Sequence, residues 1–73
     1  MKVGKTFAFA QMVELLDKKA VIKRESVMRD FDLTEDQFHR YIADLKYYFI
    51  SFHPEKELIY DKKHDCYRLV SVN

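Results

Sequence analysis

VMRDFDLTEDQFHRYIADL, residues 27–45, is the stretch whose reading decides the fold. Val27, Met28 and Phe31 fall on the inner side of a helix over residues 23–31. The chain then turns at Phe31, Asp32 and Leu33, with Asp32 a small polar residue that tolerates the left-handed backbone region. Thr34 follows as an N-cap, and Gln37 completes a capping-box pattern. Asp36 adds negative charge near that amino end, which the helix dipole favours. At about 100° per residue, Phe38, Ile42, Leu45 and Phe49 cluster on one side of the next helix, with Tyr41 and Phe52 flanking them on the core side. Asp36, Arg40, Ala43 and Tyr47 gather on the opposite side, the strip left to meet a ligand. This helix is expected over residues 35–49, ending before Pro54 because the residue preceding a proline disfavours the α region. Two helices across a tight turn make a helix-turn-helix layout, whose second helix can enter the major groove of DNA.

Upstream, Phe9, Met12, Val13 and Leu16 fall at i, i+3, i+4 and i+7, one stripe of a first helix. Thr6 is its expected N-cap, and Lys18 and Lys19 suit its carboxyl end. Ala20, Val21 and Ile22 are too few for a helix and read as a brief extended segment. Downstream, strands over residues 57–61 and 66–72 flank a polar loop of Lys62, Lys63, His64 and Asp65. That loop length sets Tyr60 opposite Tyr67 and Leu58 opposite Leu69, so apolar residues pair across the hairpin. The fold class expected is α+β, mostly helical: a winged helix-turn-helix of three helices plus a C-terminal β-hairpin wing. Residues 1–73 form one domain without repeats, low-complexity segments or an internal linker.

Composition agrees. A chain of 73 residues makes one small domain, and its 48% hydrophobic and 15% aromatic content excludes general disorder. With Gly4 the only glycine and Pro54 the only proline, a sandwich or barrel built on many tight turns is disfavoured. The formal charge of +1 is unevenly placed: Lys18, Lys19, Lys23, Arg24 and Arg29 precede Glu35, Asp36, Asp44, Glu55 and Glu57. Cys66 is alone, which leaves no internal disulfide and suits a reducing cytoplasm. No apolar run reaches membrane-spanning length, and residues 1–4 have no signal-peptide character. A soluble, cytoplasmic, nucleoid-associated protein is expected.

With these elements in place, the chain resembles the DeoR-like winged-helix domains, including the amino-terminal domains of WYL-type bacterial regulators. Those domains carry a phrase like F-x-V-S-x-R-T-[FIL]-x-R-D-[IL]-x-x-L across the turn and recognition helix. The matching stretch here is FDLTEDQFHRYIADL, with Phe31, Thr34, Phe38, Arg40, Ile42 and Leu45 in step. The family's wing often ends in a G-Y-R-L phrase, and this chain has Cys66, Tyr67, Arg68 and Leu69. Asp36 stands where the family often has arginine, Tyr41 where it often has aspartate, and the hairpin tip lacks the usual glycines. The family's domains normally precede an effector or dimerisation domain, whereas this sequence ends at Asn73. The resemblance implies sequence-specific binding of double-stranded DNA by a small bacterial or phage transcription regulator.

Candidate DNA contacts follow from placement. Arg40 lies on the outer strip, where it can hold a phosphate or read guanine; its simpler role is an ion pair with Asp36 or Asp44. Gln37 and His39 flank the strip, and Tyr47 lies on it. Thr34 can offer a phosphate its hydroxyl or backbone N–H while capping. Lys62, Lys63 and His64 form a basic hairpin tip, and Lys23 and Arg24 start the second helix near the expected backbone. His39, His53 and His64 lie on separate elements without metal-ligand spacing, and no Gly-rich phosphate loop occurs. No enzyme, cofactor, metal or small-molecule effector is expected. Tyr48, Phe7 and Ile50 exceed what one small core hides, which points to a homodimer or a protein partner. The rival expectation is a protein-binding winged helix, an anti-repressor or adaptor subunit, favoured by Glu35 and Asp36 at the head of the third helix.

Overall fold

The computed structural model describes residues 4–72, and the elements in chain order are α1 (Lys5–Lys19), β1 (Val21–Lys23), α2 (Arg24–Asp30), α3 (Glu35–Phe52), β2 (Lys56–Asp61) and β3 (Cys66–Ser71). Residues 1–3, read above as lacking signal-peptide character, and residue 73 lie outside the described residues. Among the described residues no helix is long and apolar enough to cross a membrane.

Helix α1 buries Ala8, Met12 and Leu16, with Phe9, Val13 and Leu15 packed beside them. Its N-cap is Gly4 and not Thr6, because the Ala8 N–H closes the first helical hydrogen bond on the Gly4 carbonyl at 2.9 Å. Thr6 therefore sits exposed inside the first turn. Lys18 and Lys19 lie in its last turn as expected, whereas Ala20 is not part of the extended segment. Ala20 is the C-cap, in the left-handed region at φ 60°, and its N–H reaches the Leu16 carbonyl at 2.9 Å. Its own carbonyl accepts the Leu69 N–H at 2.9 Å, which fastens the end of α1 to β3.

The three strands form one antiparallel sheet in the order β1-β3-β2. The hairpin register is the expected one, with Leu58 opposite Leu69 and Tyr60 opposite Tyr67. The extended segment after α1 also joins the sheet, Ile22 opposite Tyr67. Ile22, Leu58, Cys66, Tyr67 and Leu69 are the buried side chains of this sheet. Helix α2 is shorter than its sequence pattern, since Lys23 is the last residue of β1 and Phe31 is the C-cap.

Helix α3 supplies most of the core. Phe38, Tyr41, Ile42, Leu45 and Phe49 are buried along it. It runs to Phe52, past the expected end near Phe49, because His53 (φ −139°, ψ 65°) takes the non-helical backbone that Pro54 demands. Phe52 is 70% exposed and not a core residue. Its angle on the helix is an inner one, but this last turn extends beyond the layer that would cover it.

A non-glycine residue in the left-handed region costs roughly 1–2 kcal/mol, and Ala20 has no side-chain hydrogen bond to offset that. Ala20→Gly should therefore stabilise the domain by about 1 kcal/mol, read as a higher thermal midpoint and an unchanged circular dichroism spectrum. A lower midpoint would contradict the assigned cap.

Candidate nucleic-acid interface

The interface is built outward from the turn between α2 and α3. The Phe31 N–H bonds to the Val27 carbonyl at 3.0 Å, and the Leu33 N–H to the Met28 carbonyl at 2.9 Å. Asp32 takes the left-handed conformation at φ 53°. Thr34 then caps α3 reciprocally: its hydroxyl accepts the Gln37 N–H at 3.2 Å, and the Gln37 side-chain oxygen accepts the Thr34 N–H at 2.9 Å. Thr34 and Gln37 thus spend their side chains on the cap. Glu35 and Asp36 lie in the first turn, where negative charge opposes the helix dipole favourably. The acids at the head of α3 have a structural use.

With its inner face fixed by burial, α3 exposes Asp36, Arg40, Ala43 and Tyr47 in one strip, with His39 beside it. Arg40 enters none of the hydrogen bonds or ion pairs found among the described residues, although Asp36 and Asp44 each lie one turn away. The alternative role, a helical ion pair, is not seen among the described residues. Tyr47 is 74% exposed.

The hairpin tip is set by two aspartates that flank it. Asp61 accepts the Lys63 and His64 backbone N–H groups at 3.1 and 3.4 Å. Its other oxygen meets His64 Nδ1 at 2.8 Å and accepts from Arg68 Nε at 3.0 Å. The His64 and Arg68 contacts bring the Asp61 carboxyl down from 3.8 to about 2. Asp65, in the left-handed region at φ 49°, accepts the Tyr60 hydroxyl at 2.8 Å and Arg24 Nε at 2.9 Å. The Tyr60 hydrogen bond, with Arg24 adding to it, holds the Asp65 carboxyl below the usual range. Asp65 in turn raises the pKa of Arg24. These contacts leave the Lys62 and Lys63 side chains exposed and without partners among the described residues.

Arg24, His39 and Lys62 come together with Glu35, Tyr60, Asp65 and Tyr67 along one open groove of about 580 Å³ between the head of α3 and the hairpin. Arg24 is the least free of them, since Glu35 stands 3.7 Å from its guanidinium opposite Asp65. Lys23 is exposed at the N-cap of α2, while His64 is held by Asp61. The sequence places Tyr60, Asp61 and Asp65 in the hairpin but gives them no role at the site. Aspartates bounding a tight loop are a turn signal, but nothing in the sequence announces a partner 41 residues away for Arg24.

A second, apolar groove of about 400 Å³ lies between α1 and α3, lined by Thr6, Phe9, Tyr41, Asp44, Tyr47, Tyr48 and Phe52. Tyr48 packs edge-on against Phe9, with ring centroids 5.9 Å apart. Compared with family models, with curated proteins and with solved structures, the chain has no significant match.

Asp61 yields a pH prediction. A carboxyl whose folded pKa lies below its unfolded value stabilises the fold fully above about pH 4 and loses that contribution as pH falls toward about 2. Thermal midpoints of the wild type and Asp61→Asn should differ at pH 5, draw together as pH falls and converge only below about pH 2. A gap that stays constant over that range would mean that Asp61 is not the titrating anchor.

Proposed function

We propose that this chain is a winged helix-turn-helix domain that binds double-stranded DNA in a sequence-specific way, as the resemblance to DeoR-like domains implies. Helix α3 lies in the major groove with Arg40, His39 and Tyr47 toward the bases and sugar-phosphate edges. The β2–β3 hairpin is the wing, and Lys62 and Lys63 meet flanking phosphates. Lys23 lies near the same backbone. The domain acts by binding and not by catalysis, as part of a small bacterial or phage regulator in the cytoplasm.

The observation that carries this reading is Arg40. A guanidinium with acids a turn away on either side ordinarily pairs with one of them; this one stays unpaired at the centre of an exposed strip. Lys62 and Lys63, likewise unpaired among the described residues, stand at the tip of the hairpin that borders the same helix. Such a set suits a surface whose partner brings the negative charge.

A second reading is a protein-binding domain. It is favoured by the α1–α3 groove, where Tyr47 and Phe52 leave most of their rings in solvent. Large exposed aromatics around an apolar cleft are more usual at protein contacts than on DNA-facing surfaces.

Titration of a random-sequence duplex at several salt concentrations separates the two. DNA binding predicts a negative log–log slope that shrinks by about one for Arg40→Ala or Lys63→Ala. At a selected site, Arg40→Ala should cost about 1–3 kcal/mol. Absence of duplex binding at low salt would reject the DNA reading.

A further inference from the structure

Asp65 joins the hairpin to the start of α2 through several hydrogen bonds to Arg24. Both of its carboxylate oxygens accept from Arg24 Nε, at 3.1 and 2.9 Å, and one of them also accepts from the Tyr60 hydroxyl at 2.8 Å. Its carbonyl oxygen accepts the Arg24 backbone N–H at 3.3 Å. One residue at the hairpin thus grips both the backbone and the side chain of the first residue of α2. Arg24 extends the chain of contacts to Met28 Sδ at 3.6 Å and to Glu35, at the head of α3, at 3.7 Å. These contacts form a side-chain link between the hairpin and the two helices, beside the β1–β3 pairing and the Lys56 N–H to His53 carbonyl bond at the far end of α3.

From this geometry we infer that Asp65 is a positioning residue, which sets the angle of the hairpin against α3 through Arg24 and so places Lys62 and Lys63. The inference rests on the DNA-binding reading for its purpose and on the hydrogen bonds alone for its mechanics. It also reassigns Arg24. A guanidinium pinned between Asp65 and Glu35 is a strut inside the protein and not a phosphate ligand. The backbone of residue 65 gives the way to test this, because φ 49° is a conformation that glycine adopts without cost. Asp65→Gly removes the carboxylate and leaves the loop free to keep its shape.

Two measurements decide the matter. The first is the orientation of the hairpin amides relative to those of α3, from residual dipolar couplings of the full chain. In Asp65→Gly the hairpin should rotate or broaden its orientation while its internal register persists. Asp65→Asn, which keeps an acceptor for Tyr60 and loses the charge toward Arg24, should fall between. A role in stability alone would lower the thermal midpoint and leave the orientation unchanged, and that result overturns the proposal.

The second is a double-mutant cycle on duplex binding. Lys63→Ala should lower affinity by about threefold or more in the wild type and have little effect in Asp65→Gly, because groups acting through one contact are not additive. Arg24→Ala should mimic Asp65→Gly and add nothing to it. Full additivity of Arg24→Ala with Asp65→Gly would restore Arg24 as a phosphate ligand and reject the strut. If the wild type fails to bind duplex at low salt, the DNA reading falls, and the orientation measurement still decides whether Asp65 holds the hairpin.

Discussion

Burial of one face of α3 is the constraint on which the rest depends. Phe38 and Leu45 are wholly buried, with Phe49 and Ile42 nearly so, and the Phe38 ring lies 5.9 Å from that of Tyr67 on β3. A helix held this way cannot roll about its axis without opening the core, and a small domain has little stability to spare for that. The Thr34–Gln37 capping box fixes where the helix starts, and the inner stripe fixes its rotation. What faces outward is then no longer free: Asp36, Arg40, Ala43 and Tyr47 are outside because Phe38, Ile42, Leu45 and Phe49 are inside.

Electrostatics sort themselves around that frame. A formal charge of +1 suggests a surface with nothing to offer a polyanion. Much of the acid, however, is consumed internally. Asp61 secures the hairpin tip, Asp65 holds Arg24 and Tyr60, and Glu35 and Asp36 sit on the positive end of the helix dipole. Among the described residues Arg40, Lys62 and Lys63 have no ion-pair partner, as is also true of Lys19, Lys23, Lys46 and Lys56, and Lys62 stands with His39 on the groove between α3 and the hairpin. Charge balance over the whole chain and charge on one face are different quantities. Here the whole chain is near neutral while the hairpin tip, with Lys62 and Lys63 side by side, is locally basic.

Much of this fold could be read in the sequence because its signals are local and periodic. The α2–α3 turn, the capping box, the inner stripe of α3 and the Leu58–Leu69 register each depend on spacing within one element or one hairpin. The failures have physical causes. Phe52 has the angle of a core residue, but angle does not tell whether a neighbouring layer reaches that far along the helix. Thr6 resembles a cap, yet the helix starts earlier because the Gly4 carbonyl is the acceptor for Ala8. Pairing of β1 with β3 needs chain ends far apart to meet, and a three-residue strand carries no periodicity to reveal it. At the candidate interface, sequence gives the exposed strip and the basic tip. It does not give the Asp65–Arg24 grip, since side-chain pairing across 41 residues leaves no local trace.

In the proposed reading α3 is a recognition surface whose exposed strip and adjoining hairpin meet one partner, and the α1–α3 groove is a separate apolar surface. Amide chemical shifts on adding a short duplex at low salt test that claim most directly. The account predicts perturbations gathered on residues 36, 39, 40, 43 and 47 and at the hairpin tip, with Phe9 and Phe52 left in place. Shifts confined to Phe9, Tyr48 and Phe52, or no shifts at all, would contradict it.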